Sequence, residues 1–284
     1  MTTLIPLSDG RKLGYREFGA PNGFPVINNH GGLVCGLDIA PADEIAKRRG
    51  IRIISPDRPG IALSGAKPNR TLKDWANDVG ELAAQLGLQK FALLGWSMGG
   101  QYALGCAHFL RERVTHTTII AGALPLDDAK NFSELNHMDQ RLTNMARNHP
   151  QNAELAFKAM GELAQHTPHL WNAMSARGLA KRDADALHQL PGNGLADMAA
   201  PALQTANGMV EEYRAWALPW GFTLSQIRGA VSIWQGTDDT LVPMHWAETM
   251  AREIPTARLH SVKGAGHFLA LRHDDEIFAD MFAA

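Results

Sequence analysis

Three kinds of side chain in this sequence have the types and chain order needed to activate a hydroxyl. They are Ser97 in Gly95-Trp96-Ser97-Met98-Gly99, an acid at Asp238 or Asp239, and His267 in Gly264-Ala265-Gly266-His267. A serine hydroxyl is a poor nucleophile until a base takes its proton. A neutral imidazole, with an ordinary pKa of about 6.5, can take that proton and later hand it to a leaving group. A carboxylate behind the imidazole fixes its tautomer and stabilises the imidazolium. The reacting carbonyl then needs N–H donors for its oxyanion. The N–H of Met98, directly after the serine, is one. The second is expected from His30-Gly31-Gly32, through the N–H of Gly32, since glycines let the backbone come close to a substrate oxygen.

These groups are useful only if the chain brings them to one place. The apolar run 91–94 reads as a buried strand that turns through Gly-x-Ser-x-Gly into a helix over 101–110, the sequence form of a nucleophile elbow. Further strands are expected at 4–6, 12–18, 25–29, 51–55, 117–122, 231–236 and 257–262. Helices are expected at 42–49, 71–86, 244–253 and 274–282. The second has Thr71 and Asp74 placed to cap it and Gly87 to stop it. Strands alternating with helices predict an α/β fold: a mostly parallel sheet of roughly eight strands with helices on both faces. In such a sheet ligand chemistry collects at the C-terminal strand ends. His30, Ser97, the Asp238-Asp239 pair and His267 all follow predicted strands. Residues 125–224 differ: they are Met-, His- and Ala-rich, with no strand signal and clearest helices at 153–165 and 209–218. The expected division is a core of 1–124 and 225–284 interrupted by a helical insertion at 125–224.

Composition narrows the classes. The chain has 284 residues, 45% hydrophobic and 20% charged, with net charge −2, which gives no electrostatic case for nucleic acid or an anionic membrane. Two cysteines, Cys35 and Cys106, provide neither a disulfide framework nor metal spacing; a reducing, cytoplasmic setting is expected. The N-terminus lacks the charged and long apolar regions of a signal peptide. Residues 91–110 contain no Asp, Glu, Lys or Arg, but the central turn makes a buried strand and helix the better reading than a membrane span. His166 and His169 are spaced three apart without further ligands, so no metal and no cofactor is expected.

Taken jointly, His30-Gly31-Gly32, Asp57-Arg58-Pro59-Gly60 with Ser64, Gly95-Trp96-Ser97-Met98-Gly99-Gly100, Gly236-Thr237-Asp238-Asp239-Thr240-Leu241-Val242-Pro243 and Gly264-Ala265-Gly266-His267 resemble the α/β-hydrolase fold superfamily. The resemblance is to its serine esterase, haloperoxidase-like and C–C hydrolase group, and it covers nearly the whole chain. It implies Ser97 as nucleophile and His267 as base. It selects Asp239 as the acid, three residues after the glycine and four before the proline. It implies that the insertion is a cap over the site. Two features depart from the commoner pattern. The oxyanion loop lacks a proline after His-Gly, which leaves Leu33 as an alternative donor to Gly32. Asp127 and Asp128 also follow a predicted strand, where some relatives carry the acid.

The implied activity is a cofactor-independent serine hydrolase acting on a small to medium, partly apolar ester. The same triad could instead serve C–C, amide or iminopeptide, or perhydrolase chemistry, and an idle triad would make a ligand-binding protein. The expected partner is a small-molecule substrate; the sequence does not set the oligomeric state. Trp96, Trp171, Trp216 and Trp220 are candidates for the pocket. His30 is expected to be structural, Asp57-Arg58 to brace loops, and Asp238 to be a solvated neighbour.

Overall fold

The computed structural model describes residues 2–282. It is α/β. In chain order the first half contains β1 (Thr2–Pro6), β2 (Lys12–Gly19), β3 (Phe24–Asn29), α1 (Asp43–Arg48), β4 (Ile51–Pro56), α2 (Leu72–Gln85), β5 (Phe91–Trp96), α3 (Gly99–Phe109) and β6 (Val114–Ile120). Seven helices follow without a strand: α4 (Ala129–Glu134), α5 (His137–Asn148), α6 (Pro150–His166), α7 (Pro168–Ser175), α8 (Lys181–His188), α9 (Leu195–Leu203) and α10 (Ala206–Trp216). The chain then returns to the sheet through β7 (Ala230–Gly236), α11 (Met244–Glu253), β8 (Ala257–Val262) and α12 (Ala270–Asp280).

The eight strands form one sheet in the order β1-β2-β4-β3-β5-β6-β7-β8. The β1–β2 and β2–β4 pairs are antiparallel and all later pairs are parallel. The period-two side-chain alternation of a strand divides the core in two. Ile27, Ile54, Leu93, Ile119 and Ile233 pack on one face with α2, α3 and much of the insertion. Val26, Ile53, Ala92, Leu94 and Ile120 pack on the other with Ala46 of α1 and Ile277 and Phe278 of α12. The capping box on α2 forms as read: Thr71 accepts from the Asp74 N–H, and Asp74 accepts from the Thr71 N–H. That registers Trp75, Val79 and Leu82 toward the core.

Three boundaries differ from the sequence reading. β6 spans Val114–Ile120 rather than 117–122, because Ala121 takes φ 49 and leaves the extended backbone. α12 begins at Ala270, four residues before the expected start at Asp274, which is buried within the helix. The insertion holds seven helices where two were clear. Pro150 and Pro168 each open a new helix at its first turn, cutting the apolar period into pieces too short to read alone. Among the described residues no helix is long and apolar enough to cross a membrane.

Candidate active site

The parallel register brings the ends of β3, β5 and β6 level, with Asn29 opposite Gly95 and Trp96 opposite Ile120. Ser97 comes next, at φ 55. A non-glycine residue in that left-handed region costs about 1–2 kcal/mol. The turn is held by the Ser97 N–H donating to Ile120 O at 2.8 Å and the Gly100 N–H donating to Ser97 O at 2.9 Å. α3 starts immediately after, with Met98 at its N-cap position, so its positive end lies at the serine. The flanking glycines are needed for close approach. A Cβ on Gly99 would overlap Asn29 O, and one on Gly95 would sit 2.8 Å from Ala103 Cβ.

Asp239 lies beyond the end of β7 and His267 beyond the end of β8. His267 Nδ1 is 3.0 Å from Asp239 Oδ2, and their side chains are 4% and 0% exposed. Oδ2 also accepts from Gln235 Nε2 at 2.9 Å, while Oδ1 accepts the N–H groups of Leu241 at 2.8 Å and Val242 at 2.9 Å. Burial acts to raise the Asp239 pKa, but His267 and these two N–H donors outweigh it, and the net direction is down. For His267 burial acts downward, while the carboxylate of Asp239 carries the net direction up. An anionic acid against a readily protonated base is the polarity a proton shuttle needs. The rival acids are placed elsewhere. Asp238 is exposed and accepts from Thr237 Oγ1 at 2.9 Å; Asp127 is exposed, and Asp128 caps α4.

Trp96 links the serine to the histidine. Its indole N–H donates to His267 O at 3.0 Å, and its ring centroid lies 5.5 Å from the imidazole. The Ser97 hydroxyl makes no hydrogen bond among the described residues; such bonds are often loose until substrate is bound. In the loop after β3, the Gly31 N–H donates to Asp38 at 3.0 Å. The N–H groups of Gly32, Leu33 and Met98 are uncommitted among the described residues. Gly32 abuts Met98, since a Cβ on it would lie 3.7 Å from Met98 Cβ, and Leu33 holds φ 60.

His30 is structural. Its Nδ1 lies 2.9 Å from Gly31 O and its Nε2 accepts the Arg58 N–H at 3.2 Å. Burial, reinforced by Arg58, pushes its pKa well down, so the ring is neutral. Asp57 braces as expected, receiving Arg16 Nη1 and the Gly36 N–H at 2.8 Å each. Arg58 does more than the sequence indicated. Its guanidinium donates to His30 O at 2.5 Å and to Gly31 O at 2.9 Å, and pairs with Glu212 of α10, which also pairs with Arg70. This fully buried Arg–Glu–Arg cluster ties the insertion to the loop that presents Gly32. Asp183 of α8, which accepts the His267 N–H, and Asp139 of α5, whose charge reaches His267, also escaped the sequence reading. Neither sits in a string that marks a strand end: Asp183 shares its short helix with Asp185, and Asp139 follows the Asn136 cap of α5.

Of the four tryptophans, Trp96 lines a small cavity of about 40 Å³ with Asn28, Asp38, Leu94, Met198 and Phe268; neither Ser97 nor His267 lines it. Trp171 and Trp216 are buried within the insertion. Trp220 donates to Gln101 Oε1 at 3.0 Å and lines a different cleft, with Asp127 and His245. Both cysteines are buried, and burial pushes the Cys35 thiol up to about 12. No group of three or more His, Cys, Asp or Glu suited to a metal occurs among the described residues.

The sequence matches the family model of the Alpha/beta hydrolase family over residues 33–280. The chain belongs to that family. Among curated relatives, a proline iminopeptidase of Lactobacillus delbrueckii subsp. lactis is 24% identical over 262 residues, covering 86% of this chain and 83% of that protein. A homoserine O-succinyltransferase of Bordetella avium (strain 197N) is 40% identical over 63 residues, only 22% of this chain and 15% of that protein. Among solved structures, an esterase from Exiguobacterium antarcticum superposes with TM-score 0.70 at 21% identity, covering 99% of this chain and 97% of that one. At that identity the superposition speaks for the fold.

Proposed function

We propose that this member of the Alpha/beta hydrolase family is a cofactor-independent serine hydrolase, cleaving small to medium, partly apolar esters. Ser97 Oγ attacks the acyl carbonyl while His267 Nε2 takes its proton. The N–H groups of Met98 and Gly32 (or Leu33) hold the oxyanion. The intermediate collapses as His267 returns the proton to the departing alcohol. Water, activated by the same imidazole, then releases the acid and restores Ser97. The observation that carries this reading is the buried 3.0 Å contact between His267 Nδ1 and Asp239 Oδ2, with a serine held at φ 55 at the head of α3 and the residue before it, Trp96, donating to His267 O. The insertion at 125–224 serves as the cap over this site.

A second reading, release of an N-terminal residue as in an iminopeptidase, is favoured by the curated relative that matches through core and insertion alike. The test is kcat/KM on p-nitrophenyl esters from acetyl to octanoyl, beside proline p-nitroanilide and an aromatic diketone. Esters at least a hundredfold ahead support the first reading; the anilide ahead would transfer the proposal to the second.

A further inference from the structure

The candidate base is held from two directions. Asp239 meets its ring, and a second acid meets its backbone. Asp183 of α8 is 2% exposed. Its Oδ2 accepts the His267 N–H at 2.5 Å and its Oδ1 accepts the Phe268 N–H at 3.1 Å, across 84 residues of sequence. The carboxylate fills the space beside Gly266, where a Cβ would overlap it. Burial raises the Asp183 pKa and the nearby Asp239 adds to this; the two N–H groups and His267 oppose it, and the net direction is up from the ordinary carboxylate value. Both oxygens face donors, so a proton on either would have no acceptor at these contacts, and the geometry is that of the anion. Three carboxylates therefore bear on His267: Asp239 after β7, Asp183 of α8 and Asp139 of α5. Of the cations near α8, Lys181 pairs with Asp185 in solvent, and Arg182 reaches Lys263 O at 3.4 Å.

We propose that Asp183 is a positioning residue: carried in by the insertion, it fixes the His267 backbone and adds a second negative charge beside the imidazole. His267 is then fully set for proton transfer only while α8 is seated on the core. With α8 lifted, two buried N–H groups lose their acceptor and the imidazole loses one of its flanking charges. Seating of the insertion and competence of the base become one equilibrium. The proposal rests on the reading of His267 as general base.

The experiment uses full-length protein labelled with ¹³C,¹⁵N-histidine. His267 is assigned by the signal lost in His267→Gln, and its titration is followed in wild type, Asp183→Asn and the exposed control Asp185→Asn. Removing a negative charge lowers the pKa of a nearby imidazole, so Asp183→Asn is expected to move the His267 midpoint down by about half a unit or more. The control is expected to match wild type. In the same samples, the rate of fluorophosphonate labelling at high pH is expected to fall about tenfold in Asp183→Asn. For ester turnover, kcat is expected to fall while KM changes less than about twofold. A folded Asp183→Asn with wild-type titration and labelling rate overturns the proposal. If that variant does not fold, amide exchange in the wild type decides: the His267 and Phe268 N–H groups are expected to exchange no faster than the α8 amides, and faster exchange overturns it. Titration and exchange need no turnover. An unreactive Ser97 would thus remove the hydrolase reading while the coupling of Asp183 to His267 is still judged.

Discussion

Replacing Asp239 by asparagine changes one atom in a fully buried side chain and reverses what that atom can do. Oδ1 accepts two backbone N–H groups, from Leu241 at 2.8 Å and Val242 at 2.9 Å. An asparagine keeps its oxygen there and places its NH₂ where Oδ2 was, 3.0 Å from His267 Nδ1. A donor at that position turns Nδ1 into an acceptor, and the ring proton moves to Nε2. The tautomer then present cannot take a proton from Ser97. Reaching the working tautomer leaves a buried donor unpaired, about 2–3 kcal/mol. The imidazolium also loses a charge-assisted partner worth about 2–3 kcal/mol. Together these come to roughly 4–6 kcal/mol, a loss of about 10³–10⁴ in kcat. The fold is expected to survive, because the unpartnered Gln235 Oε1 can turn to accept the new N–H. The assay is single-turnover and steady-state hydrolysis of a p-nitrophenyl ester, with ¹⁵N chemical shifts reporting the tautomer. Asp238→Asn, at an exposed position, is expected within about twofold of wild type. A loss of less than about tenfold in folded Asp239→Asn, or an equal loss in Asp238→Asn, would refute the assignment.

Other consequences follow from the same geometry. Since His267 must be neutral to act and its pKa is held above the ordinary 6.5 by Asp239, kcat/KM should rise with pH through a midpoint above 6.5; a midpoint at or below that value contradicts the reading. Glu212→Gln leaves Arg58 and Arg70 buried without their counter-ion and is expected to cost about 3–5 kcal/mol by urea unfolding. Burial acts to raise the Glu212 pKa, but Arg58 and Arg70 lower it to about 2 from an ordinary 4.5. Its stabilisation is therefore complete above 4.5 and is lost as pH falls toward 2, so the variant should flatten stability over that window; an unchanged slope would refute the role given to the cluster. Gly99→Ala drives a Cβ into Asn29 O and is expected to abolish soluble folded protein; a wild-type melting temperature would show that α3 can shift.

What was legible in the sequence was what sits beside a strand end in a short string. Ser97, Asp239 and His267 each follow a strand, and two- or three-residue glycine spacing marks each turn. The choice of Asp239 over its neighbour needed the whole Gly-to-Pro frame, and the geometry gives that choice a reason: only Asp239 turns inward to His267. What was not legible crosses long sequence distances from unremarkable helices. Glu212 meets Arg58 and Arg70 over separations of 154 and 142 residues, and Asp183 meets His267 over 84. An acid on a short helix looks the same in sequence whether it faces solvent or a buried N–H. The tryptophans show the same limit: Trp96 is placed by the elbow beside it, whereas Trp171 and Trp216 depend on how seven short helices pack.

The central claim is that Ser97 is an activated nucleophile. Intact-mass analysis after treatment with a fluorophosphonate tests it directly. One adduct per chain is expected, mapped to Ser97, absent in Ser97→Ala and slowed at least a hundredfold in His267→Gln. Folded wild-type protein that takes up no label, or takes it equally without Ser97 or His267, would contradict it.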